Sequence, residues 1–211
     1  VYTPKHFEQQ SIAAMHAHIR AYPLATLVTL GADGLCANHI PMYLNEKPQP
    51  NGMLAGHVPR SNPVWRETDK SVAALVIFHG PNAYITPSWY PAKKETGRVV
   101  PTWNYTVVHA RGRMRIVDDA AWLKAHLEQL TDHQEAPLSH PWAVADAPTD
   151  FTEKLSAALV GIEIPISSLV GKWKLSQNRP EQDKAGVVSG LLGVAAFGAA
   201  QMAVLVEHGT G

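Results

Sequence analysis

The chain has 211 residues, 45% hydrophobic and 17% charged, with 18 basic residues balancing 18 acidic ones. That length supports one domain with additions, and zero formal charge leaves no global field to draw the chain to nucleic acid or an anionic membrane, only a local patch. The single cysteine, Cys36, excludes an internal disulfide, fits a reducing compartment, and lies in an apolar run where a buried, inert thiol is expected. The chain opens without a basic-then-apolar leader, so a cytoplasmic location is the expectation.

Thr3-Pro4 predicts a short first helix, and Ser11 caps a second one through Arg20, with Ile12, Met15 and Ile19 on one face. The β-rich run 24–30, a Gly31-Ala-Asp-Gly34 turn and a return strand over 35–44 read as a hairpin, with Pro41 at a bulge or edge position. A short strand at 53–58 precedes Arg60, Ser61 and Asn62. There Pro63 opens a short helix whose free N–H groups suit an anion, or are an ordinary helix start. The run 72–78 is the most continuous apolar strand, and 83–86 pairs with it across a break at Gly80-Pro81.

Alternation over 103–118 predicts the longest strand, with Arg111, Arg113 and Arg115 on one basic face and Gly112 marking a bend or a close approach. Asp118 or Asp119 caps a helix through Leu130. The loop 131–149 is expected to be pinned by Trp142, and a helix over 150–158 leads into a strand over 159–166. Sequential hairpins favour an antiparallel barrel over a doubly wound sheet. The uncharged run 186–206 approaches a membrane span in length. Its Gly and Ala content favours a helix buried on the barrel or at a subunit interface, without stable membrane association.

Two segments invite a functional reading. Residues 79–105 hold three Tyr, two Trp and four Pro with the Lys93-Lys94 pair, a composition suited to a flat ligand or a partner surface. Residues 171–179 read as a loop in which Lys172 and Lys174 flank Trp173, and Ser176, Gln177, Asn178 and Arg179 add donors. Either loop also has a plain reading as a connection packed on its own aromatics. Eleven His include no zincin spacing, and His39, His57, His79 and His109 read as structural. Neither a P-loop nor the G-x-G-x-x-G turn is present, nor is a helix-turn-helix or zinc finger.

Gly56-His57-Val58 with Asn62-Pro63-Val64-Trp65, the run from Tyr84 to Tyr90, Val100 to Tyr105, and Gly171 to Asn178 together resemble the PaiB-like family of FMN-binding negative transcriptional regulators. The resemblance covers about residues 1 to 180, leaving 181–211 as a C-terminal helical tail that adds little to it. It implies a mainly β fold with peripheral helices, a six-stranded antiparallel split β-barrel like that of the pyridoxamine-phosphate-oxidase-type flavoproteins. It also implies a homodimer with FMN at the subunit interface. The flavin-site candidates it carries over are Arg60, Ser61 and Asn62; Ser88, Trp89, Tyr90 and Lys94; Thr102, Trp103 and Asn104; and Lys174, Ser176 and Gln177. Trp89, Tyr90, Trp103 and Trp173 would wall the ring, and Arg60, Lys94 and Lys174 would meet the phosphate.

Two functions are then open. One is an FMN-binding transcriptional regulator or redox sensor, with DNA met by Arg111, Arg113 and Arg115 or by the 172–179 segment. The other is an FMN-dependent oxidoreductase, for which His57 and Tyr105 are the candidate proton donors. Haem is a further possibility for a split barrel, separable from flavin by its absorbance.

Overall fold

A computed structural model of the chain describes residues 1–209. Pro4 opens a short 3-10 helix, Lys5–Phe7, followed by a two-residue strand, Glu8–Gln9 (β1). Ser11 Oγ accepts the Ala14 N–H at 3.2 Å and caps helix Ile12–Ala21 (α1), which buries Met15 and Ile19. Leu24–Gly31 (β2) and Gly34–Pro41 (β3) form the expected hairpin, and Gly34 supplies φ 106° at its turn. The return strand stops at Pro41 rather than Leu44. Tyr43–Asn45 (β4) already belongs to a second sheet, where it pairs with Met53–Pro59 (β5). Residues 62–63 lead into the one-turn helix Val64–Glu67 (α2).

Ala74–Ile85 (β6) corrects the expected break at Gly80-Pro81, because one strand runs through both residues. Gly80 is needed there for space. A Cβ would lie 2.2 Å from Thr106 Oγ1 and 2.4 Å from His18 Cε1. On its β2 side β6 pairs through Leu75, Val76 and Ile77, so Pro81 lies beyond that ladder. After a 3-10 turn, Pro87–Trp89, and the short helix Ala92–Thr96 (α3), the predicted strand over 103–118 divides into Thr102–Gly112 (β7) and Arg115–Val117 (β8). The division falls where Gly112 meets other backbone, for a Cβ there would sit 2.1 Å from the Pro165 carbonyl oxygen. Arg111 near the end of β7, Arg113 between the strands and Arg115 at the start of β8 are all exposed, but the break interrupts the expected period-two alternation.

Asp119 caps Ala120–Glu135 (α4) by accepting the Trp122 N–H at 2.7 Å. Asp119→Ala is expected to lower stability by about 1 kcal/mol, read as a urea midpoint that falls at constant slope, with Asp119→Asn retaining most of it. The helix takes in the start of the predicted loop, and Trp142 is 45% exposed, held through its backbone N–H to Glu135 rather than by a buried ring. Thr149–Ser156 (α5), Leu159–Pro165 (β9) and Ser168–Lys174 (β10) follow. The expected loop at 171–179 is thus half strand. Trp173 and Lys172 are both buried, and the Lys172 amine donates to the Tyr2 carbonyl at 2.9 Å. The uncharged run divides between Glu181–Leu192 (α6) and Ala199–His208 (α7). Among the described residues no helix is long and apolar enough to cross a membrane.

The strands make a six-stranded sheet, ordered β1-β10-β7-β6-β2-β3, and a four-stranded sheet, ordered β4-β5-β9-β8. With the peripheral helices this is a split-barrel fold, and the ladders β1·β10, β2·β3, β2·β6, β4·β5, β5·β9 and β8·β9 are antiparallel. The edge position of β3 corrects the expectation for Cys36, which is exposed beside an 80% exposed Leu35, because one side of that strand has no neighbour.

The chain forms two compact units. One comprises residues 1–18, 78–109 and 170 onward, and buries Phe78, Ile85, Tyr90, Leu175, Leu191 and Met202. The other comprises 19–77 and 110–169, and buries Ile19, Leu27, Met42, Leu54, Ile162 and Ile164.

Candidate functional site

Ten of the thirteen candidate residues fall in the unit built from 1–18, 78–109 and 170 onward. Neighbouring strands β7 and β10 bring the central and late motifs together. Lys174 Nζ donates to Thr102 Oγ1, and Asn104 Nδ2 donates to Ser176 Oγ at 2.9 Å, both members of the second pair being buried. Ser176 follows the end of β10 with φ 64°, a left-handed backbone that an L side chain rarely adopts. Gln177 turns back on its own strand, accepting the Leu175 N–H at 2.7 Å and donating to the Trp173 carbonyl at 2.6 Å. Its amide therefore shapes the turn that presents Ser176.

The electrostatics of this corner are one-sided. Burial pushes the Lys174 ammonium below its usual pKa, against a smaller pull from Tyr105, and the Lys172 and Arg179 charges lower it further. Among the described residues no carboxylate lies within ion-pair distance of Lys172, Lys174 or Arg179. Lys174 is thus the cation that shares this corner with the hydroxyl and amide groups, while Lys172 is buried on the Tyr2 carbonyl and Arg179 lies over the Tyr90 ring, a positive setting suited to an anion or to electron-rich carbonyl oxygens.

The segment 87–94 is anchored differently. Thr86 Oγ1 accepts the Ser88 N–H, Lys93 Nζ donates to Ser88 Oγ at 3.2 Å, and Lys94 is exposed. Tyr90 is 2% exposed, with the Arg179 guanidinium 4.7 Å from its ring centroid, and burial raises its phenol pKa. Trp173 is 6% exposed, and Trp89 is half-buried against α6. Of the four rings expected to wall a flat ligand, Trp103 alone is largely open, 53% exposed and edge-on to Tyr84.

The other three candidates lie in the second unit. Arg60 is already engaged, with both guanidinium nitrogens on the Asp118 carboxylate and Nε on the Ala157 carbonyl at 2.8 Å. The pairing raises the Arg60 pKa and lowers that of Asp118. Ser61 is exposed, and Asn62 is used locally, accepting the Val64 N–H at 3.0 Å and donating to Asn38 at 2.8 Å. Arg60 and Asp118 edge a cavity of about 770 Å³ that Leu123, Leu127, Val144 and Thr152 also line. In the same unit His57 Nδ1 and His126 Nε2 lie 3.2 Å apart, and the His126 ring stacks on Trp122. Burial depresses both imidazoles, His126 to about 4. Asp118 and His126 have no local sequence signal, since each meets its partner across more than fifty residues.

The family profile described as "Putative FMN-binding domain" matches residues 1–168. The chain is 31% identical over 210 residues to "Protease synthase and sporulation protein PAI 2" of Bacillus subtilis, covering 98% of this chain and 97% of that one. It is 34% identical over 220 residues to an uncharacterized protein of Emericella nidulans, covering 88% and 87%. Its fold is similar to that of the FAD and heme binding protein from Mycobacterium smegmatis, with TM-score 0.60 and 16% identity over 84% of this chain and 78% of the other. A likeness to the flavocytochrome Anf3 from Azotobacter vinelandii has TM-score 0.58 and 12% identity over 85% and 75%. With a profile match over most of its length and a relative that spans nearly all of it, the chain belongs to the PaiB-like family of flavin-binding split-barrel proteins.

Proposed function

We propose that this protein binds FMN, one per subunit of a cytoplasmic homodimer, and works as an FMN-dependent oxidoreductase on a small substrate. The observation that carries this reading is the cluster of Lys172, Lys174 and Arg179 beside the Asn104–Ser176 pair. Positive charge of that density suits the phosphate of FMN. It equally suits the carbonyl edge of the ring, where these residues would hold the oxygens and tune the ring toward accepting a hydride. Trp103 offers the open aromatic face. Ser88, Trp89, Tyr90 and Lys94 form the remaining wall in this assignment.

The test is titration of the ligand-free protein with FMN, followed by flavin fluorescence. Riboflavin is expected to bind at least about tenfold more weakly, because it lacks the phosphate that the cations would neutralise. Saturable binding with turnover of reduced nicotinamide and an acceptor supports the oxidoreductase. No saturable binding by folded protein overturns the cofactor assignment.

The resemblance to PaiB-like regulators, with the likeness to a protease synthase and sporulation protein over 98% of the chain, favours a second reading, a transcriptional regulator that senses flavin state. Its DNA contact would lie at Arg111, Arg113 and Arg115 or at 172–179. Sequence-selective, salt-sensitive DNA binding that changes with FMN would select that reading.

A further inference from the structure

The C-terminal helix α6 leaves the late motif and returns to the central one. Arg179, the last residue of the late motif, lies over the Tyr90 ring. One turn later Asp183, 1% exposed, accepts the Ala92 N–H through Oδ1 at 3.2 Å. At Gly186 a Cβ would fall 2.0 Å from the Trp89 carbonyl oxygen, and at Gly190 it would fall 2.2 to 2.4 Å from the Trp89 indole. Positions 183, 186 and 190 are spaced by three and four, so they form one stripe along the helix. The neighbouring Val187 and Leu191 are buried and fix which side that stripe faces. An acid at the first position and no side chain at the other two let the helix backbone lie directly on 89–92. Glycine is disfavoured inside a helix relative to alanine, and that close approach accounts for two of them here.

We propose that α6 is a brace for the flavin segment, and that Asp183, Gly186 and Gly190 are positioning residues that hold Trp89, Tyr90 and the 92–94 turn in the geometry that receives the cofactor. This role rests on the FMN reading above. It assigns a task to a helix lying beyond the 1–168 stretch that the family profile matches. Asp183 touches the Ala92 amide and acts through the segment it fastens.

The experiment uses the full chain and two readouts, hydrogen exchange of the 88–94 peptide and the FMN dissociation constant. Asp183→Ala is expected to speed exchange in that peptide by about tenfold or more and to weaken FMN by a similar factor. Asp183→Asn keeps an acceptor oxygen and restores both values. Gly190→Ala is expected to act as Asp183→Ala does, since its new Cβ displaces the indole. Exchange that stays at the wild-type rate in both disruptive variants overturns the proposal, as does faster exchange with unchanged FMN affinity. A loss of affinity that merely follows the urea midpoint, without a local change at 88–94, also overturns it. A wild-type chain that takes up no FMN overturns the flavin reading itself and this role with it, an outcome distinct from loss in the variants alone.

Discussion

On the flavin assignment proposed above, Lys174→Met weakens FMN binding by about 30-fold, roughly 2 kcal/mol, the scale of one hydrogen bond to a charged group. Methionine, one atom shorter, keeps an unbranched apolar stem and removes the charge and its donors. The half-buried stem is therefore still packed, and the fold is expected to survive. Thr102 loses the donor to its hydroxyl, while the buried Asn104–Ser176 pair keeps its own bond. Riboflavin affinity discriminates the contact. If Lys174 meets the phosphate, the loss is confined to FMN; if it meets the ring carbonyls, riboflavin loses as much. Unchanged affinity for both would remove Lys174 from the site. Arg60→Ala makes a useful contrast, because that guanidinium already serves Asp118 and the Ala157 carbonyl. Its replacement is expected to loosen the end of α5 as well as any ligand contact.

Acid is expected to destabilise the protein before its carboxylates titrate. Burial holds His18 and His126 at pKa values of about 4, against 6.5 for an ordinary imidazole, and lowers His57 as well. The folded state keeps these rings neutral, so the unfolded chain takes up protons first as pH falls. Stability is thus full above about pH 6.5, declines between about 6.5 and 4, and has no further contribution from these groups below that. The loss is up to about 3 kcal/mol for each of His18 and His126, large beside the usual stability of a domain. Asp69 and Asp118 are depressed by their hydrogen bonds, so what they contribute is lost only as pH falls below the ordinary carboxylate value of 3.8, outside this window. Urea midpoints at pH 7.5, 5.5 and 4.5 measure the decline. His126→Phe retains a flat ring on Trp122 and is expected to flatten the slope; an unaltered slope would show that His126 carries none of it.

Local rules carried the sequence reading where one segment decides its own shape. The hairpin turn at Gly34 and the Ser11 and Asp119 caps were legible, because turn chemistry and a capping side chain act within a few residues; at Gly112 the sequence showed only a glycine inside a strand pattern, not its distant partner Pro165. Gly80-Pro81 misled because the reason for Gly80 lies at His18 and Thr106, distant in the chain. Lys172-Trp173-Lys174 read as a polar loop because lysine signals solvent. Yet Lys172 is buried, its amine satisfied by the Tyr2 carbonyl 170 residues away. The candidate site was legible as motifs and not as pairings. Neither the Arg60–Asp118 contact nor the seating of Trp89 on Gly190 has a local trace, since each joins residues that only the fold brings together.

Ser176 shows what such a site asks of its scaffold. Its left-handed backbone costs a non-glycine residue about 1 kcal/mol or more, a cost glycine at 176 would escape. Glycine would also delete the hydroxyl that holds Asn104. Leaving the buried Asn104 amide without that partner costs about 1–3 kcal/mol, so the relief of backbone strain is cancelled while the polar corner between β7 and β10 is dismantled. Directed evolution of this protein for durability should hold position 176 fixed, or select for ligand retention at every round.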